Sequence, residues 1–153
     1  MFGLFRKKPE SYFSEAEKQQ IVQAIQEAER RTSGEVRIFI ENRCRFVDPI
    51  HRAQELFFGL KMQETQQRNA VLVYIAMKDR QLAVFGDEGI HQRVGSAFWT
   101  AEVKNMLREF NQQRYAAGLV TIIQDIGEAL TTHFPYDAKT DKNELPDDIV
   151  FGK

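Results

Sequence analysis

Three features of the sequence predict an α/β domain: a small mixed β-sheet, built from a parallel β-α-β unit plus an antiparallel hairpin strand, sandwiched by helices. Val36, Ile38 and Ile40 alternate with Arg37, Phe39 and Glu41, which is the period of a strand. Ala70 to Ala76 is an unbroken apolar run, the signature of a strand covered on both faces and therefore central. Around these runs, apolar residues recur at helical spacing with charged residues between them.

In chain order, Ser14 and Glu17 read as a capping box that opens the first helix. Ile21, Val22, Ile25 and Ala28 form its apolar stripe, and it should stop at Thr32-Ser33-Gly34, with the glycine in the left-handed conformation. The strand over 35–41 follows directly. Asp48-Pro49 marks a second helix start, with Ala53, Leu56, Phe57 and Leu60 as its buried face. A polar loop over 63–68 leads into the apolar strand. The turn Lys78-Asp79-Arg80 then returns the chain as an antiparallel strand over 81–85. Gly86 to Gly95 reads as irregular or short helical structure. Trp99, Val103, Met106, Leu107 and Phe110 mark a third long helix. Tyr115, Leu119, Ile122, Ile123, Ile126 and Leu130 mark a fourth, ending at Phe134-Pro135. A helix of about a dozen residues between the first two strands makes them parallel with a right-handed crossover. The expected organisation is an N-terminal tail over 1–11, one domain over 12–136, and a second tail over 137–153. Leu145, Ile149, Val150 and Phe151 should hold that second tail against the domain.

A chain of 153 residues with 42% hydrophobic residues is long enough for one core without disulfides or metal. Its formal net charge of -1 gives no basic field, so nucleic acid is not an expected partner. At the N-terminus a very short apolar run precedes the charges, the reverse of a secretory signal. The lone Cys44 fits a reducing compartment, and the expected location is cytoplasmic. Phe2, Leu4 and Phe5 beside Arg6, Lys7 and Lys8 allow at most weak peripheral contact with an anionic membrane through residues 1–8. Together with the semi-apolar tail they also suggest a protein partner.

One constellation bears on chemistry. Parallel pairing of the first two strands and antiparallel return of the third bring Glu35, Arg68, Asn69, Asp87 and Glu88 to the same sheet edge. Oxygen ligands of this kind suit Ca²⁺, Mg²⁺ or Mn²⁺, and Glu88 and His91, spaced i, i+3, could face one ion from a helix. Arg68 and Asn69 would then contact an anion. The competing reading is structural. Arg68 would pair with Asp87 or Glu35, Asp87 would cap the following turn, and Gly86 and Gly89 would permit a sharp exit from the strand. Other candidates are poorer. Cys44 lacks the arginine of a tyrosine-phosphatase loop, Ser96 lacks a Gly-x-Ser-x-Gly turn, and no phosphate loop or dinucleotide fingerprint is present. His51 and His133 read as surface or boundary residues on helices, and Phe98 and Trp99 as core.

The ordered set Thr32 to Val36, Arg68 to Leu72, Gly86 to Ile90 and Tyr115 to Gly118 resembles the TPM domain family over roughly residues 12–136. The stretch from Glu144 to Asp148 is similar to the tail of small cytoplasmic members. The resemblance implies a compact α/β sandwich in a family often labelled phosphatase, with metal binding suggested for some members. The commoner architecture is exported or membrane-anchored with a Gly-rich tail, from which this chain departs. Three functions stay open. The first is a non-catalytic interaction module with a divalent-metal site, and the second a metal-assisted hydrolase of phosphate esters. The third is a metal sensor, in which binding the ion orders residues 86–95 and changes a docking surface.

Overall fold

The computed structural model describes residues 7–137 and 148–153. After a short 3-10 turn over Pro9–Tyr12, helix α1 (Glu15–Arg30) opens with the predicted capping box. The Ser14 hydroxyl accepts from the Glu17 amide, and the Glu17 carboxylate accepts from the Ser14 amide. Strand β1 (Glu35–Glu41) follows, then α2 (Pro49–Gly59), whose Asp48 cap accepts from the His51 amide at 2.9 Å. Next come β2 (Ala70–Ala76) and β3 (Gln81–Gly86), joined by a tight turn in which Arg80 takes a left-handed φ of 53°. Three helices complete the body: α3 (Glu88–Val94), α4 (Ser96–Asn111) and α5 (Tyr115–His133). A last strand, β4 (Ile149–Phe151), closes the chain.

The sheet order is β3-β2-β1-β4. β1 and β2 are parallel, with Glu35 opposite Ala70 and Glu41 opposite Ala76, and β3 is antiparallel to β2. Every residue of β2 is at most 1% exposed, as its apolar run requires. Alternation along the strands divides the interior. Val36, Ile38, Ile40, Val71, Val73 and Ile75 face the layer of α1, α4 and α5, while Phe39, Leu72 and Tyr74 face Ala53 and Phe57 of α2. The architecture is therefore α/β/α, with a mixed sheet between two unequal helical layers.

Three details differ from the expectations of sequence. The stretch 137–153 contributes a strand, because Ile149, Val150 and Phe151 pair in parallel with Ile38, Phe39 and Ile40. Helix α4 begins at Ser96, three residues before Trp99. Glycine does not end α1 by a left-handed turn. The cap is Arg31 in a right-handed conformation, and among the described residues the one glycine with positive φ is Gly95. Gly34 is instead a point of close approach, where a Cβ would lie 2.7 Å from the Leu130 side chain and 3.0 Å from the Asn69 carbonyl. The loop around it is fastened to the end of α5: the Thr32 hydroxyl sits between the carbonyls of Leu130 and Phe134, and the Ser33 amide donates to Phe134.

Gly86 and Gly89 are points of close approach as well. A Cβ on Gly86 would sit 2.3 Å from the Trp99 ring. One on Gly89 would sit 2.1 Å from the Gln67 carbonyl and 2.6 Å from that of Arg68. Since the Gly89 obstacle is backbone, it cannot rotate away. Gly89→Ala should lower stability by about 3 kcal/mol in urea denaturation, the upper range for overpacking, and an unchanged midpoint would contradict this packing.

Between α4 and α5, Glu102 is 8% exposed; burial, then the hydrogen bond and charge of Asp125, raises its carboxyl from 4.5 to about 7. A carboxyl raised on folding favours the native state below its unfolded value and penalises it as pH rises through the folded one. Stability should therefore fall between about pH 4.5 and pH 7 by up to about 3 kcal/mol, and Glu102→Gln should flatten that slope. Denaturation of both proteins at pH 5 and pH 8 measures it.

Candidate functional site

The edge where β1 and β2 begin and β3 ends gathers the residues singled out by sequence. Glu35 pairs with Ala70 and Val71 with Gly86, so Glu35, Arg68, Asn69 and Asp87 all lie at that edge. The chain enters β2 through Arg68, which takes a left-handed φ of 52°. The turn before it is held by the buried Thr65, whose hydroxyl accepts from the Asn69 amide at 3.2 Å.

The side chains do not converge on one point. Arg68 forms a two-pronged ion pair with Asp87, Nε to Oδ2 at 2.6 Å and Nη2 to Oδ1 at 2.8 Å, and Nη1 reaches Glu88 at 3.3 Å. Asp87 is buried, and its Oδ1 also accepts from the Glu88 amide at 2.8 Å, capping α3. Backbone bonds reinforce the joint: the Asp87 amide donates to Ala70 and the Gly89 amide to Arg68. Asn69 turns elsewhere and donates from its side chain to the Ser33 hydroxyl at 3.1 Å, which also accepts from Gln67 at 3.2 Å. Glu35 is 2% exposed, and its amide donates to the Asn69 carbonyl.

His91 is engaged by α4 instead. Its Nδ1 accepts from the Trp99 indole at 3.0 Å, which places the proton of the neutral ring on Nε2. Among the described residues, no group of three or more His, Cys, Asp or Glu side chains is arranged to hold a metal ion. Both oxygens of Asp87 are engaged by a guanidinium, and three nitrogens of Arg68 are engaged by carboxylates. To bind phosphate, Arg68 would have to leave Asp87 with a buried, unpaired charge, which is costly. What this arrangement does is fasten the start of β2 to the end of β3 and the first turn of α3.

The other end of the sheet holds a polar cluster that sequence analysis did not find. Glu41, at the last position of β1, receives Arg52 of α2 in two bonds of 2.9 and 3.1 Å and accepts from the Tyr74 hydroxyl. Burial first, then the Glu41 carboxylate, raises the Tyr74 phenol far above its usual range, and the bond to Glu41 raises Arg52 likewise. The available signal was Tyr74 itself: a phenol inside an otherwise aliphatic strand must find a partner when buried. Cys44 lies nearby, its thiol on the Val47 carbonyl at 3.3 Å and raised mainly by burial, so it is not an activated nucleophile. His51 pairs with Asp48 on the surface.

The Glu41 cluster and the exposed β2–β3 turn predict different mutational costs. Arg52→Ala strands Glu41 beside Tyr74 and should lose about 3 kcal/mol or more, as removal of one partner of a buried pair does. Arg80→Ala, at an exposed turn, should change stability by less than about 0.5 kcal/mol apart from its backbone strain. Urea denaturation of the two variants checks the contrast.

Comparison with known proteins agrees with the architecture. The TPM domain family model, labelled TPM phosphatase, matches residues 7–129. The fold is similar to the NMR structure of BA42 protein from the psychrophilic bacterium Bizionia argentinensis, with a TM-score of 0.83 and 36% identity. That alignment covers 92% of this chain and 95% of the other. It is also similar in fold to the N-terminal domain of cg2496 protein from Corynebacterium glutamicum, with a TM-score of 0.62, 13% identity, and coverage of 88% and 80%. Among curated proteins nothing matches the chain. With the model spanning most of its length and the fold shared, the chain belongs to the TPM domain family.

Proposed function

We propose that this protein is a non-catalytic interaction module rather than a phosphatase. The observation that carries the reading is the state of Asp87: the carboxylate best placed to ligate an ion is buried, held at two points by Arg68, and used as the cap of α3. A hydrolase of phosphate esters would need those oxygens for a cation and that guanidinium for the developing charge on phosphate. Here each group neutralises the other.

Exposed apolar residues on α2 support a protein partner. Ile50 in the first turn of α2 and Phe58 in its last are 40% and 48% exposed, although Phe57 is fully buried. Large apolar groups left in water suit an interface core. No helix among the described residues is long and apolar enough to cross a membrane.

If a divalent ion such as Ca²⁺ or Mg²⁺ binds at all, Asp87, Glu88, Glu35 and His91 would be its ligands, and the paired geometry would have to open first. The deciding experiment is a calorimetric titration of chelator-treated protein with Ca²⁺, Mg²⁺ and Mn²⁺, with hydrolysis of p-nitrophenyl phosphate measured in parallel. The module reading expects no saturable binding and background turnover equal in Asp87→Ala. Saturable binding and turnover that both vanish in a folded Asp87→Ala would establish the phosphatase instead.

A further inference from the structure

At the carboxyl ends of β1 and β4 lies an open cleft of about 1100 Å³. It is lined by seven cationic side chains and three carboxylates, on a chain whose formal net charge is -1. Positive charge is therefore concentrated at this end of the molecule, and the remainder is acidic. The three carboxylates are already committed: Glu41 and Glu55 to Arg52, and Glu10 to Lys18. Arg43 pairs with Asp79 at 2.9 Å, and the Lys7 ammonium lies 3.8 Å from the centre of the Tyr12 ring. Lys8, Arg45, Lys78 and Lys153 have no ion-pair partner among the described residues. They come from four separate segments and surround one opening.

Beside these charges stands Phe46. It is fully exposed at 100%, it lines the same cleft, and its backbone is left-handed with φ 74°, a conformation that costs a bulky residue about 1–2 kcal/mol. Val47, next to it, is 36% exposed. A phenyl ring held in water on a strained loop, between Arg45 and the cleft lysines, gains only by leaving water.

We infer that this end of the sheet docks on an anionic lipid bilayer, Phe46 entering the interfacial region while Lys8, Arg45, Lys78 and Lys153 meet headgroup phosphates. The composition favours a bilayer over an acidic protein. Protein interfaces are depleted in lysine and need a fitted pocket for a projecting aromatic ring, whereas lysine stems spread readily over a lipid surface. A bilayer also requires no shape complementarity from an open, charged rim, and each basic residue near an anionic surface contributes about 1 kcal/mol. The cleft takes Arg52 and Glu55 from α2 but neither Ile50 nor Phe58, so the inference does not rest on a protein partner binding those two residues.

The test is co-sedimentation of the full chain with vesicles of phosphatidylcholine containing about a quarter phosphatidylglycerol, against pure phosphatidylcholine vesicles. Binding should be confined to the anionic vesicles and fall as salt screens the charges. Arg45→Gln and Lys78→Gln should each weaken partitioning about fivefold, corresponding to one basic contact. Phe46→Ser should weaken it further, while Lys104→Gln on α4 should leave it unchanged. All four positions are at or near the surface, so thermal melting should show the variants folded. Three results would overturn the inference: equal binding to neutral vesicles, no binding at low salt, or binding indifferent to Arg45, Lys78 and Phe46. Displacement of the protein from anionic vesicles by residue-equivalent polyglutamate as readily as by salt-matched excess lipid would point to an acidic protein partner instead.

Discussion

The rest of the fold depends on the complete burial of β2. A strand covered on both faces can satisfy its amides and carbonyls only along its edges, so it must have a neighbour on each side. β1 supplies one through the parallel register and β3 the other through the hairpin. Burial on both faces also requires two helical layers. α2 crosses one face between β1 and β2, and α1 with α4 and α5 closes the other. Once these pairings are set, the positions of polar residues at the strand ends follow from the register.

Those ends are where charge meets the core, and the two ends solve the problem differently. At the starts of β1 and β2, a partly exposed guanidinium neutralises the buried Asp87, which in turn caps α3. At their far ends, Glu41 is enclosed by Arg52 and Tyr74. In both cases a carboxylate within the fold is retained because a cation and further hydrogen bonds accompany it. The close-packed glycines serve the first of these joints. Gly89 lets the α3 backbone donate to the Arg68 carbonyl at 2.8 Å, which a side chain would prevent.

Much of this was legible in the sequence because it is written in local terms. The capping residues Ser14, Glu17 and Asp48 act within one helical turn, and the strands 35–41 and 70–76 declare themselves by alternation and continuous burial. The convergence of Arg68 and Asp87 followed from strand directions alone. What escaped was set by distant contacts. β4 has three residues and no alternation to read, and it exists because β1 offers an open edge. Gly34 resembled a helix stop, whereas its small size answers to Leu130, nearly a hundred residues later. The orientation of His91 toward Trp99, rather than toward Glu88, depended on where α4 packs. The basic cleft was hidden because its cations come from scattered segments, each of which reads as an ordinary solvated stretch.

The Arg68–Asp87 ion pair and the cap it supports on α3 form a structural joint. The most direct measurement is a double-mutant cycle on stability, with Arg68→Gln, Asp87→Asn and the combination, in chelator and again in millimolar Ca²⁺. A structural joint gives a favourable coupling of about 1–3 kcal/mol, the same in both conditions. A coupling near zero in chelator, or a stability that rises with Ca²⁺ only while Asp87 is present, would contradict it.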